Sequence, residues 1–390
     1  MKNKDVILLE KLYTLIQPTR LDEVKWEEDF PDAKRECITP DAVAKQLNDE
    51  LKRLETPSPK RSKPNINFPL ISKGNIPDNA NVENFKRQLM LLPKTIFDVG
   101  LKSGHTVDEN IMTVNTGIPA LRAVIWDEEN KEFYVINTCP SAGSCISNCY
   151  ARHGFYIMND GKNIKLINRL QLLMNHPDLY ESKAYSELEL FAFDAKRKGK
   201  TLEIRWNDAG DFFSNKYLDI AISITKKLTV NGYKVESYAY TKVADMYNKG
   251  VSAGMTMNFS DGAKESDRSK LQNEKDVKMS FIIPTRVFSQ FLKTLRNGRF
   301  EKDVETGKTI FKDSESKEKI RRAVFDYLKE TPKLTEHQKN QLSLDTILYT
   351  DELPLKIGNP YQYNVIVLPA GDSDRPAQRK DVRFTLLGQH

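Results

Sequence analysis

The chain has 390 residues, enough for one large domain with appendages or for two domains. With 39% hydrophobic and 29% charged residues and no apolar run of membrane-spanning length, it reads as a charged-surfaced globular protein with no membrane partner. The net charge of +6, from 60 basic against 54 acidic residues, is a weak bias that permits nucleic-acid binding without arguing for it. The first residues lack a signal-peptide core, so a cytoplasmic location is expected, that of the host if the protein is phage-encoded.

In chain order, residues 1–55 read as a helical segment. Val6, Leu8, Leu9, Leu12, Leu15 and Ile16 recur at helical spacing, and Thr39 before Pro40 is a natural cap for a second helix. Residues 56–83, rich in Pro, Lys, Ser and Asn, read as a linker whose basic run Lys60-Arg61-Ser62-Lys63 is solvated. From residue 84 to the end, strand-like and helix-like stretches alternate. Strands are expected at 120–126, 133–137, 202–206, 234–240, 252–258, 278–283 and 364–368. Helices are expected at 164–175, 180–197, 215–229 and 285–297, with a charged helical insertion near 298–350. This alternation predicts an α/β fold with parallel strands, a full or incomplete β/α barrel first and an open doubly wound sheet second.

Three of the four cysteines, Cys139, Cys145 and Cys149, fall within eleven residues on a loop leaving the strand-like run 133–137. Thiols so close, separated by Gly, Pro, Ser and Asn, can converge on one metal ion or cluster. Structural core thiols and redox chemistry are the alternatives. Cys37, among Asp and Arg residues far along the chain, reads as incidental.

The second polar constellation follows residues 202–206. Asn207, Asp208, Gly210 and Asp211 come directly after a β run, and Ser214 is placed to cap the next helix. At the carboxyl end of a parallel strand such side chains can receive an ammonium or ribose hydroxyls, although a capped Asx turn explains them too. Tyr240, Thr241 and Lys242 end the next strand, and Asn258, Ser260 and Asp261 the one after. Three successive polar strand ends suggest a shared pocket.

The ordered segments TCPSAGSCISNCYAR, IRWNDAGDFFSNKYLDIAISI and ESYAYTK, followed by GDSDRPAQRKDV, resemble the phage gene-product-eighty-eight family over roughly residues 110–390. That family's name carries no activity. The same order of features is similar to radical S-adenosylmethionine proteins. Such a resemblance implies that Cys139, Cys145 and Cys149 hold a four-iron, four-sulfur cluster. It further implies that Asn207, Asp208, Gly210 and Asp211, with Tyr240 and Lys242, contact S-adenosylmethionine. The chain departs from that pattern in two places. Its cysteine spacing is C-x5-C-x3-C rather than C-x3-C-x2-C, and Ala-Gly-Asp stands where Gly-Gly-Glu is usual.

A rival metal reading adds His153, giving a Cys3His zinc site in a nucleic-acid-binding or replication-associated phage protein. In that reading residues 372–381, with Arg375, Arg379 and Lys380, contact phosphates. Alternatively the segment is an ion-paired turn closing the fold.

Overall fold

The computed structural model describes residues 26–55, 82–99, 110–146, 149, 151, 160–271, 274, 276–283, 300–302, 309–311, 314–354, 356–367 and 375–388. The expected first helix, residues 56–81 of the expected linker, the helix at 285–297, His153 and residues 368–374 lie outside these, while linker residues 82 and 83 are helical instead.

Two sheets organise the chain. The smaller has three antiparallel strands, β1 (Arg35–Ile38), β4 (Arg122–Asp127) and β5 (Glu132–Asn137), in the order β1-β5-β4. The larger has nine strands. They are β2 (Asp98–Val99), β3 (Ile111–Asn115), β6 (Thr201–Trp206), β7 (Val235–Thr241), β8 (Thr256–Ser260), β9 (Met279–Ile283), β12 (Ile347–Tyr349), β13 (Tyr363–Val367) and β14 (Val382–Gly388). Their order is β12-β13-β14-β9-β8-β7-β6-β3-β2, and every pairing is parallel except β2 with β3. A hairpin of β10 (Phe300–Lys302) and β11 (Thr309–Phe311) stands apart from both sheets.

The helices are α1 (Trp26–Asp29), α2 (Pro40–Glu55), α3 (Val82–Leu89), α4 (Asp160–Asn175), α5 (Pro177–Arg197), α6 (Asn215–Val230), α7 (Ala244–Ser252), α8 (Glu265–Leu271), α9 (Ser314–Glu330), α10 (Glu336–Asn340) and α11 (Arg375–Gln378). Thr39 caps α2, accepting from the Ala42 N–H at 3.3 Å. Ser214 caps α6 through the Tyr217 N–H at 3.3 Å. Both caps match the sequence expectation.

The closed barrel does not form. The last three strands add beyond β9 in the reverse order β14, β13, β12, so after β9 the chain starts again at the far edge and runs back to β9, and no described strand returns to β3. The ladder ends at β12 on one side and at antiparallel β2 on the other.

Four further expectations are corrected. Residues 120–126 and 133–137 form strands, but in the antiparallel sheet. The N-terminal segment is not wholly helical, because Arg35–Ile38 pairs with β5. The strand expected at 252–258 begins at Thr256, since Ser252 ends α7. The charged stretch 298–350 contains α9 and α10 but also supplies β12 to the large sheet.

The two faces of the large sheet differ in chemistry. Strands reading TLEIRW, TMNFS and VRFTLLG alternate apolar with polar residues, so one face collects Leu202, Ile204, Trp206, Met257, Phe259, Phe281 and Phe384. Apolar sides of α4 to α7 and α9 pack there in one continuous core. A doubly wound sheet, covered by helices on both faces, has near-continuous apolar strands. This sheet turns Glu203, Arg205, Asn258, Ser280 and Thr385 to its other face, and all five are buried. The small sheet has a separate core of Val124, Trp126, Phe133 and Val135 under α2 and α3.

Among the described residues no helix is long and apolar enough to cross a membrane.

Candidate functional site

The cysteine loop leaves β5, an antiparallel strand, and not a strand of the parallel sheet as the sequence suggested. Backbone hydrogen bonds nevertheless lace it to the carboxyl end of that sheet. Beyond β6, the Asp211 N–H donates to the Thr138 carbonyl at 3.0 Å. Beyond β8, the Gly143 N–H donates to Gly262 at 2.9 Å and the Lys264 N–H to Ser141 at 2.9 Å. The Lys264 ammonium reaches the Pro140 carbonyl at 2.8 Å, and Ala142 and Ala263 form an isolated antiparallel bridge. Between these anchors, just past β7, the Lys242 N–H donates to the Asp211 carboxylate at 2.9 Å. The loops after β6 and β8 therefore meet the cysteine loop, and the end of β7 between them meets Asp211, at the edge where parallel α/β sheets place their sites.

Cys139 is buried and packs against Leu121, Ala142 and Cys145. Its sulfur accepts from the Leu121 N–H at 3.3 Å, with Leu121 held in the left-handed region at φ 71°. Cys145 and Cys149 are half-buried. Gly262 makes room for Cys145, because a Cβ there would lie 2.6 Å from the Cys145 Cβ. Cys37 sits on β1, exposed, with its thiol directed at the Glu132 carboxylate at 3.6 Å.

The electrostatics tie the thiols to one cation. Burial pushes the Cys139 thiol up to about 12, and burial also raises Cys145. Burial opposes the charge on Lys242, but Asp211 and the thiols of Cys145, Cys139 and Cys149 outweigh it and hold the ammonium above its ordinary value. Burial raises Asp211 despite its bonds to Lys242 and Phe212. Three thiols, one ammonium and one carboxyl thus share a single electrostatic neighbourhood.

Forming a thiolate at buried Cys139 demands positive charge beside it, and three cysteines on one loop can share that charge. Among the described residues no three His, Cys, Asp or Glu side chains form a group that could close on a single metal ion.

The polar loop after β6 is strongly braced. Asp208 accepts from the Asn115 amide at 3.0 Å and faces the Arg205 guanidinium at 3.9 Å. Asn207, at φ 58°, accepts from the Tyr217 hydroxyl at 2.9 Å and keeps a buried amide nitrogen without a partner. Gly210 has φ 78°, and a Cβ there would meet Ile118 at 2.5 Å. Asp211 is directed inward, toward Lys242 and the thiols. Tyr240 extends from β7 beneath the Arg205 guanidinium, 5.6 Å from its ring centre, on the opposite face of the sheet from Asp211's neighbour Thr241.

Residues 372–374 lie outside the described residues, but Arg379 does not face outward for a phosphate. It is buried in an ion pair with Asp381 at 2.6 Å, the ion-paired turn of the two readings. Sequence reasoning passed over Asn115, because the short run at 111–115 gave no strand signal, and over Arg205, which lies inside the expected strand rather than at its polar end. Gly262 was passed over as well.

The fold and this site define an α/β protein with an open, mostly parallel sheet and a three-cysteine loop bound across its carboxyl edge. The chain belongs to the gene product 88 family, a phage gene-product family whose model matches residues 103–306, just over half of the chain. No curated protein and no solved structure matches the chain.

Proposed function

We propose that the protein is a phage metalloenzyme in which Cys139, Cys145 and Cys149 hold a four-iron, four-sulfur cluster and the loop after β6 receives S-adenosylmethionine. The observation that carries this reading is the attachment of the cysteine loop to the ends of β6 and β8, with all three thiols acting on Lys242 at the end of β7 between them. A cluster held by three thiolates keeps one iron open, and that iron can bind S-adenosylmethionine for reductive cleavage.

The chain's own residues have distinct parts in this reading. Lys242 balances the negative charge of the thiolates. Asp211 orients Lys242 through its backbone N–H and offsets its charge, and so acts as a positioning residue. Asn207 offers its unmatched amide N–H, and Asp208 offers a carboxylate held in place by Asn115 and Arg205. These two are the cofactor contacts. The sequential run β3-β6-β7-β8-β9, with a polar inner face, supports an incomplete-barrel description of this half of the sheet. The substrate is a nucleotide or a macromolecule.

Reduction of anaerobically reconstituted protein in the presence of S-adenosylmethionine tests the reading. It is expected to release 5′-deoxyadenosine, and Cys145→Ala is expected to abolish release while His153→Ala preserves it. Absence of 5′-deoxyadenosine from protein with a full cluster would overturn the cofactor assignment.

A further inference from the structure

A cleft opens at the amino edge of the large sheet, at the far end of the strands from the cysteine loop. It encloses about 580 Å³, within the size range of small-molecule sites. Its floor is the start of β7 and the turn from α7 into β8, where Val235, Ala253 and Met255 present apolar surface. One wall is the second half of α6, with Ile222, Lys226 and Val230. The other joins Ile357 to Lys380. The Tyr361 N–H donates to the Lys380 carbonyl at 3.1 Å and the Gly358 N–H to the Asp381 carboxylate at 2.7 Å, which holds these two segments together.

The lining is apolar and charged, with its neutral polar groups already engaged. At the mouth Val230 is 85% exposed and Ile357 59%, so apolar surface continues outward from the floor. The Thr225 and Thr229 hydroxyls donate to carbonyls of their own helix at 2.8 and 2.9 Å. The Ser237 hydroxyl accepts from Trp206 at 2.8 Å, and the Gln378 amide donates to Glu203. Last-turn carbonyls of α6 and α7 accept from the N–H groups of residues 231–233 and 253–255. Charges are what remain. Among the described residues Lys226, Lys380 and Glu236 of the lining have no side-chain partner, nor do exposed Lys234 and Lys356, each directly before a lining residue. Four ammonium groups against one carboxylate make the mouth positive.

We infer that this cleft binds a small organic anion with an aliphatic body, a medium-chain carboxylate, its chain on Val235, Ala253 and Met255 and its head between Lys226 and Lys380. Burial of the chain supplies the affinity, and the lysines select the sign of the head group. A sugar or a nucleoside would find few free hydrogen-bonding groups here. The cleft lies at the opposite edge of the sheet from the thiols, so the inference does not rest on what they hold.

Calorimetric titration of the full chain with octanoate and decanoate, and with decyltrimethylammonium as the cationic counterpart, tests it. Decanoate is expected to bind once per chain at submillimolar concentration. Octanoate should bind about tenfold more weakly, as two fewer buried methylenes require. The cation is expected not to bind in that range. The Lys226→Gln, Lys380→Gln double variant should weaken decanoate by about fivefold or more, the worth of two exposed ion pairs. Thr229→Trp, which sets a large ring into the cleft from α6, should abolish binding. All three positions are exposed, so the variants should melt with wild type. Should Thr229→Trp melt lower, the lysine double variant carries the comparison. Failure of decanoate to bind, wild-type affinity in the lysine variant, or no gain from octanoate to decanoate would overturn the inference. Equal or tighter binding of the cation would also overturn it, by assigning the cleft to Glu236. None of these failures bears on the presence of a cluster, which is read from iron and sulfide.

Discussion

Gly262 and Cys145 are close enough that their relationship is exclusive: a side chain on the first removes the space of the second. The ideal Cβ of residue 262 falls 2.6 Å from the Cys145 Cβ and 3.1 Å from its backbone nitrogen. Both contacts are to atoms that cannot swing aside. Gly262→Ala is therefore expected to lift the cysteine loop from the end of β8, costing about 1–3 kcal/mol as overpacking does. Urea denaturation should show the loss, and metal content per chain should fall with it. An alanine variant with wild-type stability and metal content would contradict the fit.

Asp211 tests the electrostatic centre. Its carboxylate accepts from the N–H groups of Phe212 and Lys242, and its charge supports the Lys242 ammonium against burial. Asp211→Asn keeps the shape but leaves that cation uncompensated when the thiols are protonated. Removing one partner from a buried charge arrangement costs about 3–5 kcal/mol. Chemical denaturation of metal-free protein should show a loss of that order. A loss under about 0.5 kcal/mol, as for a surface residue, would contradict the account.

Lys278 gives a pH signature. Burial pulls its ammonium down to about 7, against the nearby Asp381. Between about 7 and the ordinary lysine value, the unfolded chain therefore binds a proton that the folded chain has released. Stability from this group should rise as pH increases through that window and stay at its low level below about 7. Melting temperatures from pH 6 to 9 should show the rise in wild type, and Lys278→Met should flatten it. The same slope in both proteins would contradict the assignment.

The sequence carried the parallel sheet and the site loops well where local chemistry was self-sufficient. Ser214 and Thr39 were readable because capping needs only neighbours three residues away. The alternation in residues 201–206 was readable because a half-polar strand has a period of two. The position of β4 and β5 was not readable, since a strand's sheet is chosen by its partners. Here the partner of β5 is Arg35–Ile38, nearly a hundred residues earlier and too short to announce itself. The open edge of the sheet had the same cause: the reversed order β14-β13-β12 is a property of long-range pairing. Within the site, Asp211 was noticed as an acid that could touch a cofactor. Its inward bond to Lys242 depends on two loops meeting across adjacent strands, which spacing along the chain does not encode.

The central claim is that Cys139, Cys145 and Cys149 hold an iron–sulfur cluster at the carboxyl edge of the sheet. Quantifying iron, acid-labile sulfide and zinc in anaerobically purified wild type, Cys145→Ala and His153→Ala tests it most directly. The account predicts about four iron and about four sulfide per chain in wild type and in His153→Ala, and neither in Cys145→Ala. One tightly bound zinc per chain without sulfide, lost on the His153 substitution, would contradict it.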